Sequence, residues 1–589
     1  MAGIDWVIVA AYIVIAIGIG AFFTKRAAQN TDEFFVAGRS LPWFIAGTSI
    51  VATTFSTDTP LFVAGMSRDT GISSNWFWWS VAVGQIATVF FFARLWRRTG
   101  VVTDLEFVVK RYKASASRSF LRIFKVFFDG ILINCTVIAS VTLAMTKIMK
   151  TMLNISDTPL FTMPFFGEIT FTAVLLLILA GSAVLYSCLS GLYGVVYTDL
   201  VQFALAMIGC IGLAVIVYID ASKGVGLMQK LSEAPDFKPE TLNFFPDLNS
   251  LNLLSFAFVV YILVGVTGAA GNGYFVQRLL ATRSEKDSFL AFLWFNICHY
   301  VLRPWPWIIV GLLSLHYFPE LKDSENAFPL MMNKFLPVGL KGIMVASLLA
   351  AFMSTIDTLL NWGSSYLVND LYRPFFCKDR DAKHYVFASR VCMIFLTGIA
   401  LIVTTKLTSI LDAYKYLSVI LGGTGLVLIA RWYWWRVNAI SEIVAIAGSF
   451  VVGNLMELLL PSTESVDYYP VRVLVTIVSV TVLWVIVTLK TSKKPDEKTI
   501  QFYSEIKVSG PGWRKIKDLT QIPAQDGEFR ESFVAWFLCV VFLYSILLGI
   551  GKCLFLEWYR AGLYLSLAFI SGWLLRKSIL KMHFMSDTQ

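Results

Sequence analysis

A chain of 589 residues that is 57% hydrophobic and only 15% charged is not an ordinary soluble multidomain protein, in which charged residues make up about a quarter. Its net charge of +10 would suit a nucleic-acid binder, but the basic residues fall in alternate loops rather than one patch. Eight cysteines without a CxxC pair, four histidines without HExxH, and no P-loop, GxSxG or GxGxxG leave it without the parts of a familiar enzyme.

Apolar runs of about 20 residues predict transmembrane helices. In chain order about fifteen are expected, near 5–24, 42–67, 75–96, 120–150, 165–186, 191–219, 252–278, 287–316, 338–370, 385–406, 409–430, 438–460, 470–490, 532–552 and 559–578. The first, "WVIVAAYIVIAIGIGAFF", is too long for a signal peptide and is expected to be retained. The loops "VVKRYKASASRSFLRIFK", "QRLLATRSEK", "YRPFFCKDRDAKHYVFASR" and "KTSKKPDEK" are basic, whereas "LNISDTPLF", "FPELKDSENAF" and "PSTESVDYYP" are neutral to acidic. By the positive-inside rule the N-terminus lies outside and the C-terminus in the cytoplasm of a multi-pass protein of the plasma (cell inner) membrane. Residues 491–531 turn polar and read as a solvated cytoplasmic connector with a short surface helix at "WRKIKDLTQI".

Polar residues inside these runs are the functional candidates. The first cluster is "ATTFSTDTPLF", Ala52 to Phe62, where five hydroxyls surround Asp58 just before Pro60. Non-helical backbone at membrane depth is tolerated where it faces a cavity or protein, and it frees carbonyls that suit a hard cation. The second, "SGLYGVVYTDLVQ", carries Asp199, which caps a helix start or serves an ion. The third, "VGVTGAAGNGYFVQR", holds Gly265, Gly268, Gly271 and Gly273 and predicts a second interrupted span, the pattern of two inverted repeats. The fourth places Ala351, Ser354, Thr355 and Thr358 on one helix face, with Asp357 beside them. In "FNICHYVLRPWPW", Asn296, His299 and Arg303 also share a face; the arginine suits either a solute carboxylate or phosphate, or backbone carbonyls near the two prolines. Trp76, Trp78 and Trp79, beside Asn75, form either a pocket floor or an interfacial belt. Lys415 stands between Tyr414 and Tyr416.

In order along residues 5 to 435, "SGLYGVVYTDLVQ", "GYFVQRLLAT" and "AAFMSTIDTLLNWGSSYLVNDLY" resemble segments of the sodium/solute symporter family, which includes the sodium/galactose and sodium/proline transporters. The resemblance implies an all-α core of the LeuT-like kind, with two inverted five-helix repeats at 42–220 and 252–430. Around it are a peripheral helix and loop (1–41), two peripheral helices (431–490), the linker (491–531) and two C-terminal helices with a tail (532–589). It implies a sodium ion held by backbone carbonyls of Phe55, Asp58 and Ala351 and hydroxyls of Ser354 and Thr355. Asp199 matches the family aspartate on the sodium exit path. With Ser354, Asp357 and Thr358 it is expected to build a second cation site. The carboxylate of Asp58 is not a feature the resemblance expects. Polar sugar-binding positions of the family are matched here by Leu61 and Phe62, and an aromatic gate and an asparagine by Gly268 and Gly265, which argues against a galactose-like site.

The expectation is a sodium-coupled symporter importing a small polar organic solute by alternating access. Candidate solute residues are Leu61, Phe62, Asn75, Gly268, Asn296, His299, Arg303 and Lys415. The rivals are proton coupling through Asp58 or Asp357 on the same fold, and a solute sensor built on that fold. No signalling domain follows the last span, which counts against the sensor. The expected partners are the solute and the lipid bilayer, with no nucleic acid and no obligate protein partner.

Overall fold

The structure is a computed structural model that describes residues 1–27, 33, 36–155, 159–163, 167–223, 227–246, 253–270, 273–462, 467–523 and 528–582. It is almost entirely helical. Among the described residues nine helices are long and apolar enough to cross a membrane, or up to ten with the bent pair Ile410–Leu421 and Gly425–Tyr433, which meet at 45°. Shorter apolar helices include Trp43–Phe55 and Phe256–Thr267. Breaks explain much of the distance from the expected fifteen, because half-spans fail a test of length.

Both expected interruptions are present. The first run divides into Trp43–Phe55 and Asp58–Thr70. The other divides into Leu253–Thr267, a single turn at Gly268–Ala270, and Gly273–Leu280. Gly271 lies outside the described residues. Gly265 does not break its helix. A Cβ there would stand 2.0 Å from the Ser80 carbonyl oxygen, so glycine is required for close backbone contact with the neighbouring span.

One expectation changes. Residues 165–186 do not begin as helix: Gly167–Thr170 pairs antiparallel with Pro159–Met163, and the Thr170 side chain caps the helix that follows by accepting from the Ala173 amide at 3.3 Å. From Phe171 helix runs on to Ser222, and within it the apolar stretches Phe171–Leu185 and Leu192–Ser222 correspond to the two spans expected. Residues 187–190, expected to separate the spans, include two serines but no proline, so no backbone donor is missing and the helix continues between them.

The helix Leu340–Ser365 is the axis of the bundle, buried almost continuously from Met344 to Ser365. It packs against Gly3–Ala27, Trp43–Phe55, Asn134–Leu153, Phe171–Ser222 and Ala382–Thr404. Small side chains along it (Ala346, Ser347, Ala350, Ala351, Ser354) let those helices approach closely.

The linker is not a solvated connector. It contains Glu497–Ile506, Pro511–Trp513 and Arg514–Thr520, and it docks through Phe502, Tyr503 and Trp513, all buried. Arg111 lies wholly buried with its guanidinium 5.2 Å from the Phe502 ring and 5.0 Å from Trp513, and it donates to the Arg431 carbonyl at 3.0 Å. Trp513 Nε1 donates to the Trp432 carbonyl at 2.6 Å, and Arg98 to the Ile506 carbonyl at 2.8 Å. Three aromatic residues scattered through a polar stretch supply the apolar face that its average composition hides.

Candidate functional site

The first broken span turns at Ser56, which has φ 32°, a left-handed backbone that a serine rarely adopts. Pro60 sits in the first turn of the second half, where its missing amide has no intrahelical partner to lose. The break leaves the carbonyls from Thr53 to Ser56 without the amide four residues on. Protein donors gather at this end. Thr355 Oγ1 lies 2.9 Å from the Thr53 carbonyl oxygen and 2.9 Å from that of Ala351, joining the broken span to the central helix through three neutral oxygens. Arg303 Nη2 donates to the Thr54 carbonyl at 2.7 Å, and Nη1 to that of Val51 at 3.3 Å.

Asp199 stands in the interior of its helix rather than at a cap, and it is wholly buried. Ser354 Oγ donates to its Oδ1 and Ser49 Oγ to its Oδ2, each at 2.5 Å. Beside them Arg278, also fully buried, donates from Nη2 to Thr358 Oγ1 at 2.6 Å and to Thr53 Oγ1 at 3.3 Å, and from Nε to Ser49 Oγ at 3.4 Å. A fixed guanidinium therefore stands among the residues expected to hold a second cation. Asp357 is buried next to this group, and neither carboxylate oxygen has a hydrogen-bond partner among the described residues.

Asp58 opens the second half-helix, so its own carbonyl belongs to that helix's ladder and not to the open end. Of the two residues expected to lend sodium a carbonyl from this span, the break exposes that of Phe55 and not that of Asp58. The Asp58 carboxylate instead accepts from the Tyr414 hydroxyl on the helix Ile410–Leu421. Phe62, one turn on, faces Tyr414 with ring centroids 5.7 Å apart, and Leu61 is fully buried. These contacts tie the second half of the broken span to the helix Ile410–Leu421.

Most of the polar solute candidates are occupied by protein. Asn75 donates to Ser67 Oγ at 3.0 Å and the Ile72 carbonyl at 3.1 Å, and accepts from Trp78 Nε1 at 2.9 Å. Arg303 is a brace for the broken helix: besides the carbonyls it donates to His299 Nδ1 at 2.6 Å and lies 4.9 Å from the Phe55 ring. Of the two roles open to this arginine in the sequence, the structure fits the backbone one. Asn296 donates to the Phe292 carbonyl at 2.8 Å, while its Oδ1 is buried without a partner among the described residues. Lys415 pairs with Asp467 at 2.6 Å in a cavity of about 390 Å³ that Trp76, Phe77 and Tyr261 also line. Gly268 alone faces open space, with no atom within 4 Å of a built Cβ. Trp76, Trp78 and Trp79 are buried, with Trp78 stacked 6.0 Å from Tyr300, so they are not an interfacial belt.

Arg278, Ser49 and Tyr414 were not foreseen as site residues. Arg278 had a signal, as a charged residue in an apolar stretch directly after the second break. Ser49 and Tyr414 had none, because only the packing brings them to Asp199 and Asp58.

Residues 34–451 match the model of the sodium:solute symporter family. The sodium/glucose cotransporter of Vibrio parahaemolyticus is 24% identical over 522 residues, covering 84% of this chain and 92% of the relative. Sodium/glucose cotransporter 1 of Oryctolagus cuniculus is 21% identical, covering 77% of this chain and 71% of the relative. In fold the chain is similar to a Na⁺-coupled sialic acid symporter solved in a substrate-bound outward-open state, with a TM-score of 0.65 at 18% identity over 84% of this chain and 99% of that one. The family match spans both broken helices and the central helix that faces them, and on it the chain belongs to the sodium:solute symporter family, a multi-pass membrane protein of transport by symport.

Proposed function

We propose that this chain imports a small polar organic solute into the cell together with sodium, by alternating access across the plasma (cell inner) membrane. Its architecture in this reading is two inverted five-helix repeats, 42–220 and 252–430, within about fifteen spans, with the N-terminus outside and the C-terminus in the cytoplasm. The observation that carries it is the Thr355 hydroxyl held 2.9 Å from the carbonyl of Thr53 on the broken span and 2.9 Å from that of Ala351 on its own helix. Neutral carbonyl and hydroxyl oxygens at a helix C-terminus suit a hard monovalent cation, since the helix dipole adds negative potential there. The proposed sodium donors are the Thr53 and Phe55 carbonyls, Ala351, Thr355 and Ser354.

Sodium held there ties the Trp43–Phe55 half-helix to the central helix and lowers the free energy of the outward-open form. The same form binds solute, so the two ligands favour one another reciprocally. Asp199, one hydroxyl away through Ser354, gives the ion its first step toward the cytoplasm. Each charge entering down the membrane potential contributes about 2.3 kcal/mol per 100 mV toward uphill solute uptake.

A thermal-shift screen of sugars, amino acids and organic acids, each with and without sodium, identifies the solute. Uptake of that solute into proteoliposomes under a sodium gradient at matched pH is the test. Accumulation that collapses without sodium is expected. Accumulation that ignores sodium and follows a proton gradient overturns the reading.

A further inference from the structure

The docked linker and the turn joining Gly425–Tyr433 to the span Ala439–Leu459 enclose an open cavity of about 600 Å³. Trp434 and Trp435 come from the turn, and Arg514, Lys515, Asp518 and Leu519 from the short linker helix. Lys515 Nζ lies 5.4 Å above the Trp435 ring, and the Arg436 guanidinium lies 5.3 Å from the same ring. Asn438 Nδ2 donates to Thr491 Oγ1 at 2.9 Å, bringing the end of the span Tyr469–Thr491 to this turn, and Lys493 and Lys494 follow it. Cations thus outnumber the single lining carboxylate, Asp518.

We propose that this cavity binds the phosphate headgroup of an anionic phospholipid from the cytoplasmic leaflet. Three features select a lipid over a soluble anion. The cavity sits where the ends of Gly425–Tyr433, Ala439–Leu459 and Tyr469–Thr491 converge, and the end of a span is where lipid headgroups lie. Its floor is a tryptophan pair, the residue type enriched at that depth. Leu519, 60% exposed on the same short helix as the cations, gives an acyl chain an apolar edge. Arginine and lysine supply the charge-assisted contacts that phosphate takes. A lipid bound there also stabilises the docked linker, since it binds only the assembled cavity.

The inference rests on the cytoplasmic placement of the linker proposed above, and that placement has its own readout. Leu519→Cys in sealed vesicles is expected to react only with reagents that reach the cytoplasmic side. Labelling from the outer side sinks the orientation whatever the lipid result.

The binding test uses the delipidated full chain in detergent, titrated with phosphatidylglycerol, phosphatidylcholine or glycerol 3-phosphate. Bound lipid is counted by native mass spectrometry. Phosphatidylglycerol is expected to bind preferentially. The double variant Arg514→Gln/Lys515→Gln is expected to weaken it about thirtyfold, from the usual contribution of two basic residues near an anionic surface. Lys322→Gln, in a loop expected on the opposite side, is the control and should change nothing. Equal binding of the two lipids, or a double variant that binds as wild type, overturns the proposal. So does glycerol 3-phosphate competing as well as the lipid, which marks a soluble-anion site. Unchanged sodium-dependent thermal stability in the double variant shows that it is folded.

Discussion

Thr355→Val keeps the branched shape of the side chain and removes only the hydroxyl at the junction of the two helices. In wild type that oxygen stands 2.9 Å from two carbonyl oxygens, Thr53 on the broken span and Ala351 on the central helix. A single contact between a polar group and a full charge contributes about 1.5–3 kcal/mol. Loss of that one donor therefore raises the sodium concentration for half-maximal uptake about 10- to 150-fold. The assay is the initial rate of solute uptake into proteoliposomes across a sodium series, at fixed membrane potential. The melting temperature without sodium should itself fall, because valine matches the shape but leaves the buried Thr53 carbonyl without its hydroxyl donor, so the sodium effect is read as the change in sodium dependence of the folded variant. Thr355→Ser restores the oxygen and should return sodium affinity to near wild type. A folded valine variant with an unchanged sodium dependence would refute the assignment of this hydroxyl.

Asp58→Ala and Tyr414→Phe remove opposite ends of one buried hydrogen bond, so their effects on the outward–inward equilibrium, read by cysteine accessibility, should not add. Additive effects would mean that the two act separately. Arg303→Lys loses the fork that reaches the Thr54 and Val51 carbonyls together, and should lower the melting temperature by several degrees while leaving solute selectivity intact; altered preference for acidic solutes with normal stability would restore it as a solute ligand. Gly265→Ala forces a methyl to within 2.0 Å of the Ser80 carbonyl and should abolish folded expression, whereas Gly268→Ala meets nothing within 4 Å and should be tolerated. Burial alone would raise the Asp467 carboxyl, but the Lys415 ammonium and hydrogen bonds from Lys415, the Tyr469 amide and Ser462 hold it below its ordinary value. A depressed folded value means that this stability is present above the unfolded value near 3.9 and is lost as pH falls through the folded one. Thermal stability should therefore fall below about pH 4 in part through this pair, a component that Asp467→Asn removes; an identical acid profile in the variant contradicts it.

The breaks were legible because proline, glycine and a crowd of hydroxyls in an apolar run have few helical readings. The central helix face was legible too, since Ala351, Ser354, Thr355 and Thr358 recur at helical spacing. The carbonyl register was not. Replacing the Asp58 carbonyl by that of Thr53, five residues earlier, leaves the composition of the break unchanged and is decided only by where Ser56 turns the chain. Arg303 shows the limit from another side: the sequence places it on a polar face, but whether it meets solute or backbone depends on which helix end packs against it. The linker was misread for a third reason. Phe502, Tyr503 and Trp513 are too sparse to register in a polar window, yet three rings suffice once Arg111 and the Trp432 carbonyl offer them a surface.

In the proposed mechanism, oxygens at the first break hold the coupling ion. Equilibrium binding of radiolabelled sodium to the purified chain, with no solute and no gradient, tests it most directly. Saturable binding that strengthens with added solute and weakens at least tenfold in Thr355→Val is the predicted result. Saturable binding of equal affinity in wild type and that variant would contradict it.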